Sequence, residues 1–213
     1  MRMIDNRQIS RRRVLRHAGA LLALAGAWPL AAAPATDEAG AFMAQLAEQA
    51  IATLRAEDLT QEQRAAAFSK LLNTSLDFDS IGRFVAGRHY QKMSPQQRME
   101  YHRLFAVFVV KTFARRLGDY SGESFSVTST RQIDDQHALV RSRVIRPNGP
   151  PIELDWRLRA GASAYRIVDV IVGGVSMAVT QQQDFSAVIA RSGVDGLLAA
   201  LRVRADESTA AAN

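Results

Sequence analysis

Over residues 152–159, apolar and polar side chains alternate without a break: Ile152, Leu154, Trp156 and Leu158 against Glu153, Asp155, Arg157 and Arg159. A two-residue period is that of a strand with one face in apolar surroundings and the other in water. After the turn signal Gly161-Ala162-Ser163, residues 165–172 are apolar on both sides. Val168, Val170 and Val172 are expected on one face, and Tyr165, Ile167 and Ile171 on the other, which completes a long hairpin. Upstream, Phe125 and Val127 suggest a strand. Residues 138–146 suggest another, with Val140, Ser142 and Val144 opposite Arg141 and Arg143. Pro147-Asn148-Gly149-Pro150 is a strong turn signal, and Gly173-Gly174 reads as a bulge or bend in the last strand. Four or five sequential strands imply an antiparallel sheet.

The first half of the chain has a different period. Phe42, Leu46, Ala50, Ile51 and Leu54 recur at helical spacing, and Thr60-Gln61-Glu62-Gln63 has the form of a capping box opening a second helix with Phe68, Leu71 and Leu72 inward. Asp79 or Ser80 is expected to cap a short helix that ends near Gly87. Ser94-Pro95-Gln96-Gln97 opens a long helix running to about Leu117. It carries the stripe Leu104, Phe105, Phe108, Val109, Thr112 and Phe113, either plain core against the sheet or one wall of a ligand cavity. Two more helical runs, 184–190 and 194–204, join at Ser192-Gly193. Helices first and strands afterwards indicate an α+β fold with helices over one face of the sheet.

Charge changes the picture less than the formal net of +6 implies. Six of the 27 basic side chains (Arg2, Arg7, Arg11, Arg12, Arg13, Arg16) and one of the 21 acids (Asp5) precede residue 36, leaving 21 against 20. The basic balance therefore belongs to the N-terminus and gives no support for nucleic-acid binding. Residues 1–35 have a positive start, an apolar run over 18–30 and Ala33-Pro34-Ala35 as a cleavage site, and so read as a cleavable signal. Ser10-Arg11-Arg12-Arg13-Val14-Leu15-Arg16 resembles the twin-arginine export signal, implying export in the folded state. Residues 36–205 are expected to form one domain and 206–213 a flexible tail, with no membrane span. The absence of cysteine excludes disulfides and thiolate chemistry.

Catalytic patterns are missing as well. His89, His102 and His137 are isolated, Asp77 and Asp79 lie beside a helix start, and no nucleophile elbow, phosphate loop or dinucleotide fingerprint occurs. A sheet rich in Val, Phe and Leu, covered by helices and poor in reactive groups, suits an apolar ligand better than it suits an enzyme. No metal or cofactor is implied.

The segments 77–88 (DFDSIGRFVAGR), 94–98 (SPQQR), 165–170 (YRIVDV) and 174–177 (GVSM), followed by Asp184-Phe185 and 193–197 (GVDGL), together resemble the MlaC, or toluene-tolerance, family in order along almost the whole mature chain. Two departures occur: Gly173 stands where an acidic residue is frequent, and Thr180-Gln181-Gln182 where Asn-Tyr-Arg is common. The resemblance implies a monomeric periplasmic carrier that shuttles phospholipid between an outer-membrane lipoprotein complex and an inner-membrane ABC transporter with an MCE-type subunit. It implies a twisted, NTF2-like cup with an added helical part, enclosing an apolar cavity. The expected lipid-facing residues are Phe84, Leu104, Phe105, Phe108, Val109, Phe113, Val140, Val144, Leu154, Trp156, Val168, Val170, Val172, Val175 and Met177, with acyl chains between the sheet and the long helix. Alternatives are a carrier of hopanoid or other polyterpenoid lipid, an isomerase-like enzyme using Asp169 or Tyr165, and a periplasmic adaptor with a filled core.

Overall fold

A computed structural model describes residues 35–114 and 122–206. The expected leader up to residue 34, the tail beyond Asp206 and the last expected residues of the long helix lie outside them. Four helices come first: α1 (Ala35–Arg55), α2 (Gln61–Ser75), α3 (Phe78–Ala86) and, after a 3-10 segment at Gly87–Lys92, α4 (Pro95–Ala114). Strands β1 (Ser124–Gln132), β2 (His137–Ile145), β3 (Ile152–Ala160), β4 (Tyr165–Val172) and β5 (Val175–Ser176) follow, then α5 (Met177–Asp206). The strands pair antiparallel in chain order, so the α+β arrangement and the five-stranded meander agree with the sequence pattern.

Helix starts were legible because caps are local chemistry. Gln63 N–H donates to Thr60 Oγ1 at 3.2 Å while Thr60 N–H donates to Gln63 Oε1 at 2.8 Å. Ser94 and Gln97 repeat this reciprocal pair at 2.9 and 3.2 Å. One expected cap is corrected. Asp77, not Asp79 or Ser80, caps α3, its carboxylate accepting Ser80 N–H at 3.1 Å, and the same side chain is ion-paired with Arg159 of β3. A cap that also anchors the helix to the sheet outcompetes one that faces solvent.

Two expectations for β4 and its surroundings are overturned. Gly173-Gly174 is neither a bulge nor a bend inside a strand; with φ of 58° and 82° the pair forms the two-residue turn joining β4 to β5, and Val172 lies opposite Val175. Consecutive positive φ values are what such a tight hairpin demands, and glycine meets them without strain. The bulge lies earlier, where Arg157 faces Asp169 but Leu158 faces Ile167. One extra residue on β4 reverses the alternation there. Tyr165 and Ile167 consequently share the inner face with Val170 and Val172, and Val168 leaves it.

Helix α5 starts at Met177 instead of at Asp184 and kinks at Gly193, where the two expected runs meet. Its first turn is held from β4: Asp169 accepts the Ser176 hydroxyl at 2.6 Å and Ala178 N–H at 3.1 Å, and Ser176 Oγ accepts Val179 N–H at 3.1 Å. The lengthened helix supplies the partner of the α4 stripe. Leu104, Phe105 and Phe108 are buried against Phe185, Leu197, Leu198 and Leu201, so that stripe does not face the sheet as expected. Phe185 sits 6.2 Å from Phe105 and 5.9 Å from Phe108, ring centre to ring centre. Val109, Phe78 and Ile81 link this helical core to a second one beneath the sheet, where Ala39 and Met43 of α1 meet Val140, Leu158 and Ile167.

Candidate functional site

The inner face of the sheet is covered unevenly. Its residues form rows across the strands, fixed by register: Ala138, Leu158 and Ile167; then Val140, Trp156 and Val170; then Ser142, Leu154 and Val172; then Val144 and Ile152. The first row is fully buried, whereas Leu154, Val144, Ile152 and Val170 are only half-buried and Val172 is exposed. An apolar face left partly in water is expensive, at about 25 cal/mol per Å². The incomplete cover at this end of the sheet marks it as the candidate site.

A groove of about 770 Å³ opens beside it, between α1 and the start of β1. It is lined by Ala44, Ala47, Ile51 and Ala52 on one side and by Phe125 and Val127 on the other, with Glu48, Arg55, Ser124 and Ser126 contributing polar groups. Helix α1 packs tightly on β1 at Gly40, where a Cβ would lie 2.9 Å from Thr130 Oγ1. Farther along, the small side chains at 44, 47 and 52 leave space that Leu or Phe would fill. Those positions recur at three- to five-residue steps on one helical face. That spacing of small residues is the sequence signal for this wall, and it is invisible to a pattern of large inward side chains.

The expected lipid-facing residues separate into groups. Val144, Leu154, Trp156, Val170 and Val172 are brought together on the half-covered inner face. Val140 shares that face but is fully buried beneath α1, and Val109 reaches the same core from α4. Leu104, Phe105 and Phe108 are enclosed by helices alone. Phe84, Phe113, Val175 and Met177 lie at the surface, 36–54% exposed. Val168 is the extra residue of the bulge, without a partner in the β3 register and outside the inner-face rows. Phe125 and Val127, absent from the expected set, belong to the site.

The titratable groups serve structure. Tyr165 is buried against Phe42, its ring centre 6.4 Å away, and burial, aided by Glu38, raises its pKa above the ordinary phenol value. Asp169 is occupied by the α5 cap. His102 lies between α3 and the 3-10 segment, with Nε2 2.9 Å from the Tyr90 hydroxyl and Nδ1 3.4 Å from Asp79. Burial lowers its pKa, with Arg83 acting in the same sense and Asp79 against it. Among the described residues no group of three or more His, Asp or Glu is placed to hold a metal ion.

The family model described as MlaC protein matches residues 44–203. The chain is 24% identical over 136 residues to the intermembrane phospholipid transport system binding protein MlaC of Haemophilus influenzae, covering 62% of this chain and 64% of that protein. With toluene tolerance protein ttg2D of Pseudomonas putida it shares 23% identity over 130 residues, 61% of this chain and 60% of the other. It thus spans slightly less than two thirds of each relative's length. The phospholipid-binding protein of Ralstonia solanacearum, solved in complex with a phospholipid, superimposes with a TM-score of 0.70 at 23% identity, covering 80% of this chain and 98% of that one.

Proposed function

This chain belongs to the MlaC family, and from that premise we propose that it is a lipid carrier, enclosing phospholipid acyl chains in the groove between α1 and the sheet. The observation that carries the reading is the open groove between α1 and β1, whose lining residue Phe125 packs against Trp156 of the inner face. The wall facing the sheet is α1 in this proposal, because the aromatic stripe of α4 is used up against α5.

Energetics suit a carrier. Two tails of roughly 30 methylenes in all, at ~0.8 kcal/mol each, would cost on the order of 24 kcal/mol in water, so a soluble protein must surround most of them. A groove of about 770 Å³ lies within the range of roughly 300–1,000 Å³ that ligand sites occupy. Moving a tail from bilayer to groove exchanges one apolar medium for another, so loading and unloading run near balance, and direction comes from the partners. Those partners are an outer-membrane lipoprotein complex and an inner-membrane ABC transporter with an MCE-type subunit. The compartment is the periplasm, reached through the N-terminal leader, and no helix among the described residues is long and apolar enough to cross a membrane. In this reading the protein acts by binding, and the Asp169 carboxylate serves to hold Ser176 and Ala178 at the start of α5.

Organic extraction of natively purified protein followed by mass spectrometry tests the reading. A near-stoichiometric glycerophospholipid is expected. A polyterpenoid lipid in its place would reassign the cargo, and repeated absence of any lipid would reject the carrier.

A further inference from the structure

We propose that Trp156, oriented by Ser142, is the wall that limits how much acyl tail the groove accepts, an inference that rests on the carrier reading above. Ser142 is fully buried on an otherwise apolar face. A hydroxyl there is costly unless it is hydrogen-bonded. It accepts the Trp156 indole N–H at 2.8 Å, while its own proton points to the Leu154 carbonyl 3.4 Å away. In the strand register Trp156 lies opposite Val140 and Val170, yet it bonds one inner-face position along β2, toward the open end. The indole therefore leans across β2, and its edge meets Phe125 at a centroid distance of 6.3 Å and an interplanar angle of 63°.

Phe125 lines the groove, so the Trp156–Phe125 pair stands between the α1–β1 space and the apolar surface of Leu154, Val170 and Val172. That second surface is incompletely covered as well. A tail that reaches the indole has to stop or turn back into water. Each overrunning methylene then disfavours that lipid about fourfold relative to the bilayer it left. Trp156 is thus a specificity-determining residue, and Ser142 a positioning residue that acts through it.

The test loads delipidated protein from vesicles containing equal parts of short-, medium- and long-tailed phosphatidylglycerol and reads the bound tail distribution by mass spectrometry. The parent protein should discriminate against the longest tails, Trp156→Ala should lose that discrimination, and Ser142→Ala and Trp156→Phe, which keep ring bulk without the hydrogen bond, should fall between. Lipid bound by Trp156→Ala with the parent's tail preference overturns the inference and leaves the carrier reading intact. A parent protein that takes up no lipid overturns both. If Trp156→Ala does not fold, the two milder variants decide, and parent-like selectivity in both counts against the proposal.

Discussion

Replacing Asp169 by alanine isolates what holds the start of α5. The carboxylate is 7% exposed and accepts two hydrogen bonds, from the Ser176 hydroxyl at 2.6 Å and from Ala178 N–H at 3.1 Å. Bonds to a charged acceptor contribute about 1.5–3 kcal/mol each. The Ser176 hydroxyl can rotate toward water, but Ala178 is buried and its N–H loses its partner. We therefore take the low end of the range for each bond, and Asp169→Ala should cost about 3 kcal/mol. For a chain of this size that is a fall of roughly 6–12 °C in Tm. Asp169→Asn retains one acceptor oxygen and should lose about half as much. Urea denaturation at neutral pH, with m unchanged between variants, measures the difference. Lipid content per folded molecule should stay at the parent's value. A loss below about 0.5 kcal/mol, the usual range of inconsequential surface changes, would refute the capping account. Loss of bound lipid or of a catalysed turnover at undiminished stability would instead place Asp169 in the functional site.

Three other outcomes follow from the same geometry. Ala47→Trp, in the groove, should lower bound lipid several-fold in the extraction assay, whereas Val168→Trp, at the bulge, should leave it unchanged; equal effects would contradict the groove as the lipid site. Acid should destabilise the protein in two steps of a Tm-versus-pH profile. His102 has a lowered folded pKa, so the unfolded chain takes up its proton first and stability falls as pH drops through about 6.5; His102→Gln should flatten that step. At Asp77 burial works to raise the pKa, but the bonds from Ser80 and the Arg159 guanidinium outweigh it, so its contribution is complete above about pH 3.9 and lost below as the folded carboxylate protonates; Asp77→Asn should remove that second step. Finally, replacing Arg11 and Arg12 with lysine should abolish export if the leader is of the twin-arginine type, as cell fractionation would report.

Much of the fold could be read directly because its signals are local. The capping boxes at Thr60 and Ser94 use side chains three residues apart, and the strict alternation in β3 fixes which of its residues share a face. Sequential strands with turn residues between them led to the antiparallel meander without any long-range information. Register within β4 was not legible, because a bulge depends on how two strands fit together and both faces of that strand are apolar. The start of α5 was hidden for a related reason: Thr180-Gln181-Gln182 carries no apolar period, and the cap that nucleates the helix comes from Asp169 on another element.

By itself, then, the sequence determined the element order, the sheet's inner side chains in β2 and β3, and the family. Tertiary structure decided what each apolar stripe is for. The aromatic residues of α4 were equally suited to a cavity or a core, and α5 made them core by burying them. Small residues on α1, which carry almost no hydrophobic signal, became the wall of the groove because Gly40 brings one end of the helix against β1 and the alanines leave the other end unfilled. Hydrophobicity is a property of a residue. Whether its surface meets protein, water or ligand is a property of what packs opposite.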